Sequence, residues 1–200
     1  MKSKLLFIFL CLSVVTCKLY AVDSENRYSI RGAGLLTCEN YIIEREKKSD
    51  AYFMIGGWID GFITGVNQYM ANTYDVTSFE STELLALIIQ RHCKKNPEDR
   101  LYSVIHTILS KLHEDRIKQG SALVTVKVGD KQTQLYREVI RRIQQALTKR
   151  ELYMGQEDGQ FSPDLEKAIK LFQRRKKMKP TGFPDQSTLW KLLRREPEPD

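Results

Sequence analysis

The sequence predicts a mainly α-helical protein, in which a disulfide-tied N-terminal bundle, a short β connector and a C-terminal three-helix domain follow one another. Three observations predict this fold class. Apolar residues recur at helical spacing through most of the chain, one short segment alternates as a strand does, and Lys and Arg concentrate in the last third. We expect the bundle at residues 22–120, the connector at 121–133 and the C-terminal domain at 134–196, followed by an acidic tail at 197–200.

The first 21 residues have the pattern of a secretory signal peptide. Two lysines precede an apolar run from Leu5 to Val15, and a short polar stretch then ends at Ala21. The run is too short to span a membrane as a helix, which needs roughly 20 residues. We expect export to the periplasm or cell envelope and a mature chain without a transmembrane segment. A lipid anchor at Cys17 is a less favoured alternative, because Thr16 is a poor residue to precede a lipidated cysteine.

Export determines what the cysteines can do. Of the four cysteines, two leave with the signal peptide, and Cys38 and Cys93 remain. An even pair of cysteines in an oxidising compartment indicates a disulfide. In the chain-entropy model, a disulfide that closes a loop of this size stabilises the folded chain by about 4 kcal/mol. The alternative is a pair of reduced, buried thiols. Two cysteines do not complete a zinc site by themselves, so we expect no metal.

Capping signals delimit the helices of the N-terminal bundle. Ser49 is expected to cap a helix over residues 50–74. Thr77 and Glu80 fit a capping box ahead of the next helix. Asn96 and Pro97 then predict the start of a helix that ends near residue 120.

Three glycines, at positions 57, 61 and 65, recur every four residues along the helix predicted over residues 50–74. Glycine inside a helix costs about 1 kcal/mol relative to alanine. We therefore expect another backbone to pack closely against this face, as small residues permit.

The charge and the local signals change after residue 120. Valines at 124, 126 and 128 alternate with polar residues as in a strand, and Gly129-Asp130 can turn that strand into a hairpin. Residues 134–196 contain 15 Lys or Arg against 8 Asp or Glu, whereas residues 22–133 contain 14 against 15. The C-terminal domain is therefore expected to have an anionic partner. Its helices are predicted to begin near Leu135, at Ser162-Pro163 and after Asp185.

The C-terminal domain carries ordered motifs: "IQQAL" and "EDGQF", then "AIKLFQ" and "PTGFPDQSTL". In this order and spacing, over about 55 residues, they resemble the small three-helix peptidoglycan-binding domain of many bacterial cell-wall proteins and hydrolases. The chain departs from that family at Glu151 and Ser162, where the family usually has glycine, and at Leu165, where it has threonine. The matching positions are Gln144, Leu147, Asp158, Gly159, Phe161, Ala168, Phe172, Gln173, Thr181, Gly182, Asp185, Thr188 and Leu189.

The resemblance implies peptidoglycan as the partner and no cofactor. Asp158 and Thr181 can bond backbone amides in two glycine turns, so a scaffold role is the favoured interpretation of the motif residues. A run of basic residues after the second helix is either a solvated surface or an attraction for the carboxylates of stem peptides. The candidate binding residues are Asp158, Gly159, Phe161, Phe172, Gln173, Arg174, Arg175, Lys176, Lys177, Thr181 and Gly182.

The N-terminal bundle resembles a family of small, helical, disulfide-bridged periplasmic proteins that includes acid-stress chaperones and immunity proteins against wall-degrading effectors. That resemblance implies a protein partner or a protective role. Members of that family are single domains, so the fusion here departs from them. The resemblance rests on Cys38, Gly57 or Gly61, Gly65, Asn67, Cys93, Asn96 and Pro97.

No residue pattern identifies an enzyme. Asp60, beside Trp58, is the best candidate for a buried acid, and Glu39 is a second carboxylate, but neither has a recognisable catalytic context. The three histidines, at 92, 106 and 113, lack metal-ligand spacing. Export disfavours nucleic acid as the partner of the basic surface. The sequence predicts a secreted, non-enzymatic peptidoglycan-binding protein of the bacterial envelope. The alternatives are a murein hydrolase with an unrecognised N-terminal catalytic domain and an immunity protein.

Overall fold

Residues 23–25 and 27–194 are described by a computed structural model of the chain. The chain divides into two units, residues 1–30 and residues 31–200. In the described part of the first unit, Arg27 pairs with Asp23 at 3.0 Å. The predicted signal peptide, with Cys17, and the predicted acidic tail lie outside the described residues.

The second unit contains two groups of helices separated by a hairpin. Short 3₁₀ turns occupy Gly32–Leu35 and His113–Asp115. The elements follow in the order α1 (Cys38–Lys47), α2 (Asp50–Tyr69), α3 (Thr82–Cys93), α4 (Leu101–Leu112), β1 (Leu123–Val128), β2 (Lys131–Tyr136), α5 (Arg137–Thr148), α6 (Pro163–Arg175) and α7 (Gln186–Leu193). The expected mainly α-helical fold class is confirmed.

The predicted disulfide joins α1 to α3. Cys38 and Cys93 are bonded, with their Cα atoms 4.7 Å apart, and both side chains are buried. Near this bond, the buried Tyr41 donates a hydrogen bond to the carbonyl of Ala86 at 2.8 Å. Helices α1 and α3 are thus linked by the disulfide and by the hydrogen bond of the buried Tyr41 hydroxyl.

Helix-capping side chains begin several of the helices, but the predicted cap of α3 is wrong. Ser49 and Ser162 accept hydrogen bonds from the amides three residues later, as predicted, and Asp185 does the same for α7. The cap of α3 is Ser81, whose Oγ accepts from the amide of Leu84 at 3.3 Å. The predicted capping box is therefore not used, and Glu80 has a different role, described below.

The start of α4 also differs from the prediction. The helix begins at Leu101 rather than at Asn96-Pro97, because the carbonyls of that segment serve the neighbouring helix. The amide of Cys38 donates to the carbonyl of Asp99 at 2.8 Å, and the amide of Glu39 donates to that of Pro97 at 2.9 Å. A helix through residues 97–100 would withdraw these acceptors from the first turn of α1.

Helix α2 ends at Tyr69 rather than near residue 74, and its glycine face is open. The core side of this helix carries Ile55, Ile59 and Ile63, all buried. A Cβ atom built at Gly57, Gly61 or Gly65 would meet no atom within 4 Å. The expected close packing of another backbone is therefore absent from the described structure. The reason is that the isoleucines, not the glycines, face the rest of the bundle.

The strand signal produces an antiparallel hairpin. Its register pairs Leu123 with Tyr136 and Val128 with Lys131. Strand β2 extends through Leu135, which is buried, so α5 begins two residues later than predicted. Leu135 pairs with Val124 of β1 and therefore lies in the strand, although its sequence spacing would also fit a helix.

The core of the C-terminal helices extends into the preceding region. Buried apolar side chains of α5, α6 and α7, including Ile143, Phe172 and Leu189, belong to one cluster. The same cluster includes Phe79, from the loop before α3, and Ile117, which follows the second 3₁₀ turn. The three-helix segment therefore packs directly on the helical region that precedes it.

Within the described residues, no helix is both long enough and apolar enough to cross a bilayer.

Candidate functional site

The turn after α5 is held by a buried glutamine. Gln144 is fully buried, and its Nε2 donates to Oδ1 of Asp158 and to the carbonyl of Gln160, each at 3.0 Å. Its Oε1 accepts from the amide of Gly159 at 2.8 Å. One side-chain amide thus satisfies donors and acceptors of three successive residues, which orders a loop that has no secondary structure of its own.

The turn after α6 repeats this arrangement. Oε1 of Gln173 accepts from the amide of Gly182 at 2.8 Å, and its Nε2 donates to the carbonyl of Phe183 at 3.1 Å and to Oγ1 of Thr181 at 3.2 Å. A further bond of 3.0 Å reaches Oγ1 of Thr188 on α7. The two turns are therefore equivalent: a helical glutamine binds a polar residue, a glycine and the residue after the glycine.

Both glycines in these turns are required by geometry. Gly159 and Gly182 have φ of +73° and +76°, a region that favours glycine. A Cβ at Gly159 would lie 2.6 Å from the carbonyl oxygen of Arg137, and one at Gly182 would lie 2.6 Å from Cγ of Glu166. Glycine is therefore needed in the turns on both sides of α6 for two reasons: the backbone has a positive φ there, and neighbouring atoms leave no room for a side chain.

Asp158 is an exposed carboxylate whose charge is stabilised by the turn. The amide of Gln160 donates to its Oδ1 at 2.8 Å, and Gln144 donates to the same oxygen. These bonds, with that from Gln160 the larger cause, lower the pKa of Asp158 below its ordinary value of 3.8.

The predicted motif residues divide into buried and accessible groups. Phe172 and Gln173 are about 1% exposed, and both turn glycines are buried. Phe161 and Thr181 are half-buried, and Asp158 is exposed. Most of the motif therefore shapes the turns and the core.

The basic run lies at the C-terminal end of α6 and is exposed. Arg174 and Arg175 form the last turn of the helix, and Lys176 and Lys177 follow it. Arg175 donates to the carbonyl of Arg150 at 3.2 Å. Positive charge at this end of a helix is favourable, because it opposes the partial negative charge of the free carbonyls. The run thus has a local structural role and also presents cationic groups to solvent.

Sequence reasoning missed the most buried ion pair of the described chain. Glu80 has no exposed side-chain surface, and the guanidinium of Arg194 contacts it, with Nε 2.7 Å from Oε1. Burial raises the pKa of Glu80 above its ordinary value, and Arg194 offsets part of this rise. No local pattern could have indicated this pair, since its members are 114 residues apart.

The carboxylates considered for catalysis are not buried. Asp60 is exposed and accepts a hydrogen bond from the hydroxyl of Thr82 at 2.7 Å, and Glu39 is also exposed. Asp60, considered as the best candidate for a buried acid, thus lies at the exposed edge between α2 and α3. His92 contacts Asp99 at 2.7 Å on the surface. The described residues include no group of three or more His, Cys, Asp or Glu side chains placed to hold a metal ion.

Comparison with known families identifies the C-terminal helices. Residues 136–192 match the family model described as "Putative peptidoglycan binding domain". Searches of curated proteins and of solved structures find no match. The matched segment runs from the end of β2 to α7 and includes both glutamine-held turns. The family that the motif residues indicated is thus confirmed for this segment, and the chain carries a C-terminal peptidoglycan-binding domain.

Proposed function

We propose that this chain is a secreted, non-enzymatic protein of the bacterial cell envelope that attaches to peptidoglycan through its C-terminal domain. In this proposal, residues 134–196 are the wall anchor, residues 22–120 form a helical part for partner binding or protection, and residues 121–133 connect them. The observation that carries the proposal is the family match over residues 136–192, on a three-helix core with both motif turns formed.

Electrostatic attraction is the proposed means of retention at the wall. The stem peptides of peptidoglycan carry carboxylates, and the exposed run at Arg174, Arg175, Lys176 and Lys177 offers the opposite charge. Each exposed contact contributes little alone, and salt screens such contacts beyond about 8 Å at physiological ionic strength. Retention by this run therefore depends on several contacts at once and weakens as salt rises.

A binding role rather than catalysis is supported by the positions of the carboxylates. Glycoside hydrolysis in most families uses two carboxyl groups that flank the scissile bond. Glu80 is withdrawn from solvent by its ion pair, so a substrate cannot reach it. Asp60 is exposed and engaged by Thr82. Asp60 and Glu83 line an open cleft of about 330 Å³, but each is engaged there, Asp60 by Thr82 and Glu83 by Arg45 at 2.8 Å.

A protein partner for the helical region is supported by the open face of α2. Phe53 and Met54 are 65% and 75% exposed, on the helix where a Cβ added at any of the glycines would meet no atom of another element within 4 Å. The resemblance of this region to small periplasmic chaperones and immunity proteins points the same way.

The test is retention of the chain, residues 22–200, on purified sacculi. At low salt we expect co-sedimentation, which decreases as salt is added. Replacement of the four basic residues at 174–177 by glutamine should reduce the bound fraction. The matched control replaces four exposed lysines of the helical region, Lys47, Lys48, Lys94 and Lys95, and removes the same charge. Equal loss in both variants would indicate a net-charge effect, and absence of binding by the unmodified chain would refute the proposal.

The same sacculi test the absence of catalysis. After incubation with the protein, the muropeptide profile should be unchanged. Release of soluble fragments that depends on Asp60 or Glu39, tested with Asp60→Asn and Glu39→Gln, would instead support a murein hydrolase.

A further inference from the structure

A basic cleft lies between the segment that follows the second 3₁₀ turn and the first turns of α5. Its volume is about 670 Å³, within the range of ligand-binding clefts. One wall comes from residues 114–122 and the other from residues 137–142. The first wall precedes the segment that matches the peptidoglycan-binding family, so the cleft combines that domain with a part of the chain outside it.

The charge of the cleft is strongly positive. Five basic side chains line it, against the two acids Glu114 and Glu138. Glu138 is already engaged by Arg141 at 2.8 Å and by Arg142 at 3.3 Å. An excess of positive charge is therefore left without an internal counterpart. The basic residues are Arg116, Lys118, Arg137, Arg141 and Arg142.

Backbone contacts hold the walls in place. The guanidinium of Arg142 donates to the carbonyl of Arg116 at 3.1 Å and also contacts that of Asp115. Across the cleft, the amide of Glu138 donates to Oγ of Ser121 at 3.0 Å. Arg116 itself is fixed by its bond to the carbonyl of Asn72 at 3.1 Å. A cationic surface that is ordered before binding loses less conformational entropy when a ligand arrives.

Two of the cations are available to a ligand. Lys118 and Arg137 are exposed, and neither side chain forms a hydrogen bond or ion pair with another described residue. The other cations of the cleft are anchored as described above. Arg137 packs its Cγ near Gly159, and its charge acts on the carboxylate of Asp158. A ligand that enters the cleft can be contacted by Lys118 and Arg137 without first breaking a hydrogen bond or ion pair between described residues.

We propose that this cleft binds a carboxylate of the peptidoglycan stem peptide, with Lys118 and Arg137 as the contacting residues. The proposal rests on the function proposed above and places a second contact region away from the basic run on α6. A carboxylate fits because arginine presents a planar pair of donors that matches its two oxygens. Stem peptides supply such carboxylates along the polymer, so this contact and the α6 run can act together.

The experiment compares two preparations of sacculi and four forms of the chain at low salt. One preparation is native, and in the other the free carboxyl groups are converted to amides. The forms are the unmodified chain, the double variant Lys118→Gln with Arg137→Gln, and the control Lys94→Gln with Lys95→Gln. The control removes the same charge from exposed positions of the helical region. A fourth form, Lys118→Arg with Arg137→Lys, retains both charges.

On native sacculi, we expect the cleft variant to bind about tenfold more weakly than the unmodified chain, equivalent to about 1.4 kcal/mol. The control should bind within about twofold of the unmodified chain. The charge-retaining variant should bind more tightly than the cleft variant but less tightly than the unmodified chain, because lysine lacks the planar donor pair of arginine. On amidated sacculi the difference between the cleft variant and the unmodified chain should disappear, since both have lost the same contact.

Each other outcome contradicts a specific claim. If the unmodified chain binds native sacculi and the cleft variant binds equally well, the cleft proposal is wrong and the proposed function stands. If the defect of the cleft variant persists on amidated sacculi, the ligand is another anion, such as a phosphate. If the unmodified chain does not bind native sacculi, both proposals are wrong. Circular dichroism of each variant establishes that the fold is retained.

Discussion

Arg194 places its guanidinium against the carboxylate of Glu80, and the two side chains are 8% and 0% exposed. The same guanidinium contacts Oδ2 of Asp115 at 2.6 Å. The residue that follows α7 is thereby joined to the loop before α3 and to the second 3₁₀ turn. Nearby, Nε2 of Gln186 donates to the carbonyl of Phe79 at 2.8 Å. These polar contacts attach the peptidoglycan-binding domain to the helical region, and the Glu80–Arg194 pair among them is shielded from water.

Removal of one member of this ion pair should destabilise the protein strongly. Arg194→Met leaves Glu80 buried without its partner, and loss of one partner of a buried pair costs about 3–5 kcal/mol. The double variant Glu80→Leu with Arg194→Met should lose less than the sum of the two single variants. Urea unfolding measures these free energies. The control is Asp164→Asn, which removes an exposed ion pair with Lys167 and should cost less than about 1 kcal/mol. An equal loss of unfolding free energy in Arg194→Met and Asp164→Asn would contradict the role assigned to Arg194.

The glutamine-held turns predict different effects at two adjacent glutamines. Gln144→Ala leaves the amide of Gly159 and the carbonyl of Gln160 without their partner, at about 1–3 kcal/mol for each unsatisfied group. Gln145, the next residue, is exposed. Gln145→Ala should therefore change the free energy of unfolding by less than about 0.5 kcal/mol. Thermal unfolding of both variants decides whether the buried amide, rather than helix content, stabilises the turn.

Replacement of glycine by alanine should change the free energy of unfolding in opposite directions at Gly182 and Gly57. Gly182→Ala adds a Cβ 2.6 Å from Cγ of Glu166 at a positive φ, so it should lower the free energy of unfolding by more than about 1 kcal/mol. Gly57→Ala adds a Cβ that meets no atom within 4 Å, inside a helix. Alanine is favoured over glycine there by up to about 1 kcal/mol. A stabilised Gly182→Ala variant in denaturant unfolding would contradict the geometry of this turn.

Acid should weaken the turn after α5 through Asp158. The pKa of this carboxyl is below 3.8 in the folded chain, so the unfolded chain takes up the proton first as pH falls. Stability contributed by the charged form is therefore complete above pH 3.8 and decreases as pH falls towards the lowered pKa. Asp158→Asn should lose this part of the pH dependence in thermal unfolding between pH 5 and pH 2. Asp130→Asn, at the exposed hairpin turn, should retain it.

Local signals in the sequence were sufficient for much of the C-terminal domain. Ser162 with Pro163 and Asp185 begin their helices as predicted, because a cap depends only on residues within one turn of it. The hairpin at Gly129 follows from alternation on both sides of a two-residue turn. Where local signals compete, the longer-range partner prevails: β1 keeps Leu135 in a strand, and α1 uses the carbonyls of Pro97 and Asp99.

The sequence by itself determined the helical fold class, the disulfide pair Cys38 and Cys93, and the peptidoglycan-binding family of the C-terminal segment. Each of these follows from residue types at short spacing, from the ordered motifs, or from the parity of the cysteines. Only the tertiary structure decided that Glu80 is buried against Arg194, that the glycine face of α2 is open, and that Lys118 and Arg137 share one cleft. The physical reason is that burial and net local charge depend on which distant segments meet, and helical or strand periodicity carries no information about those meetings.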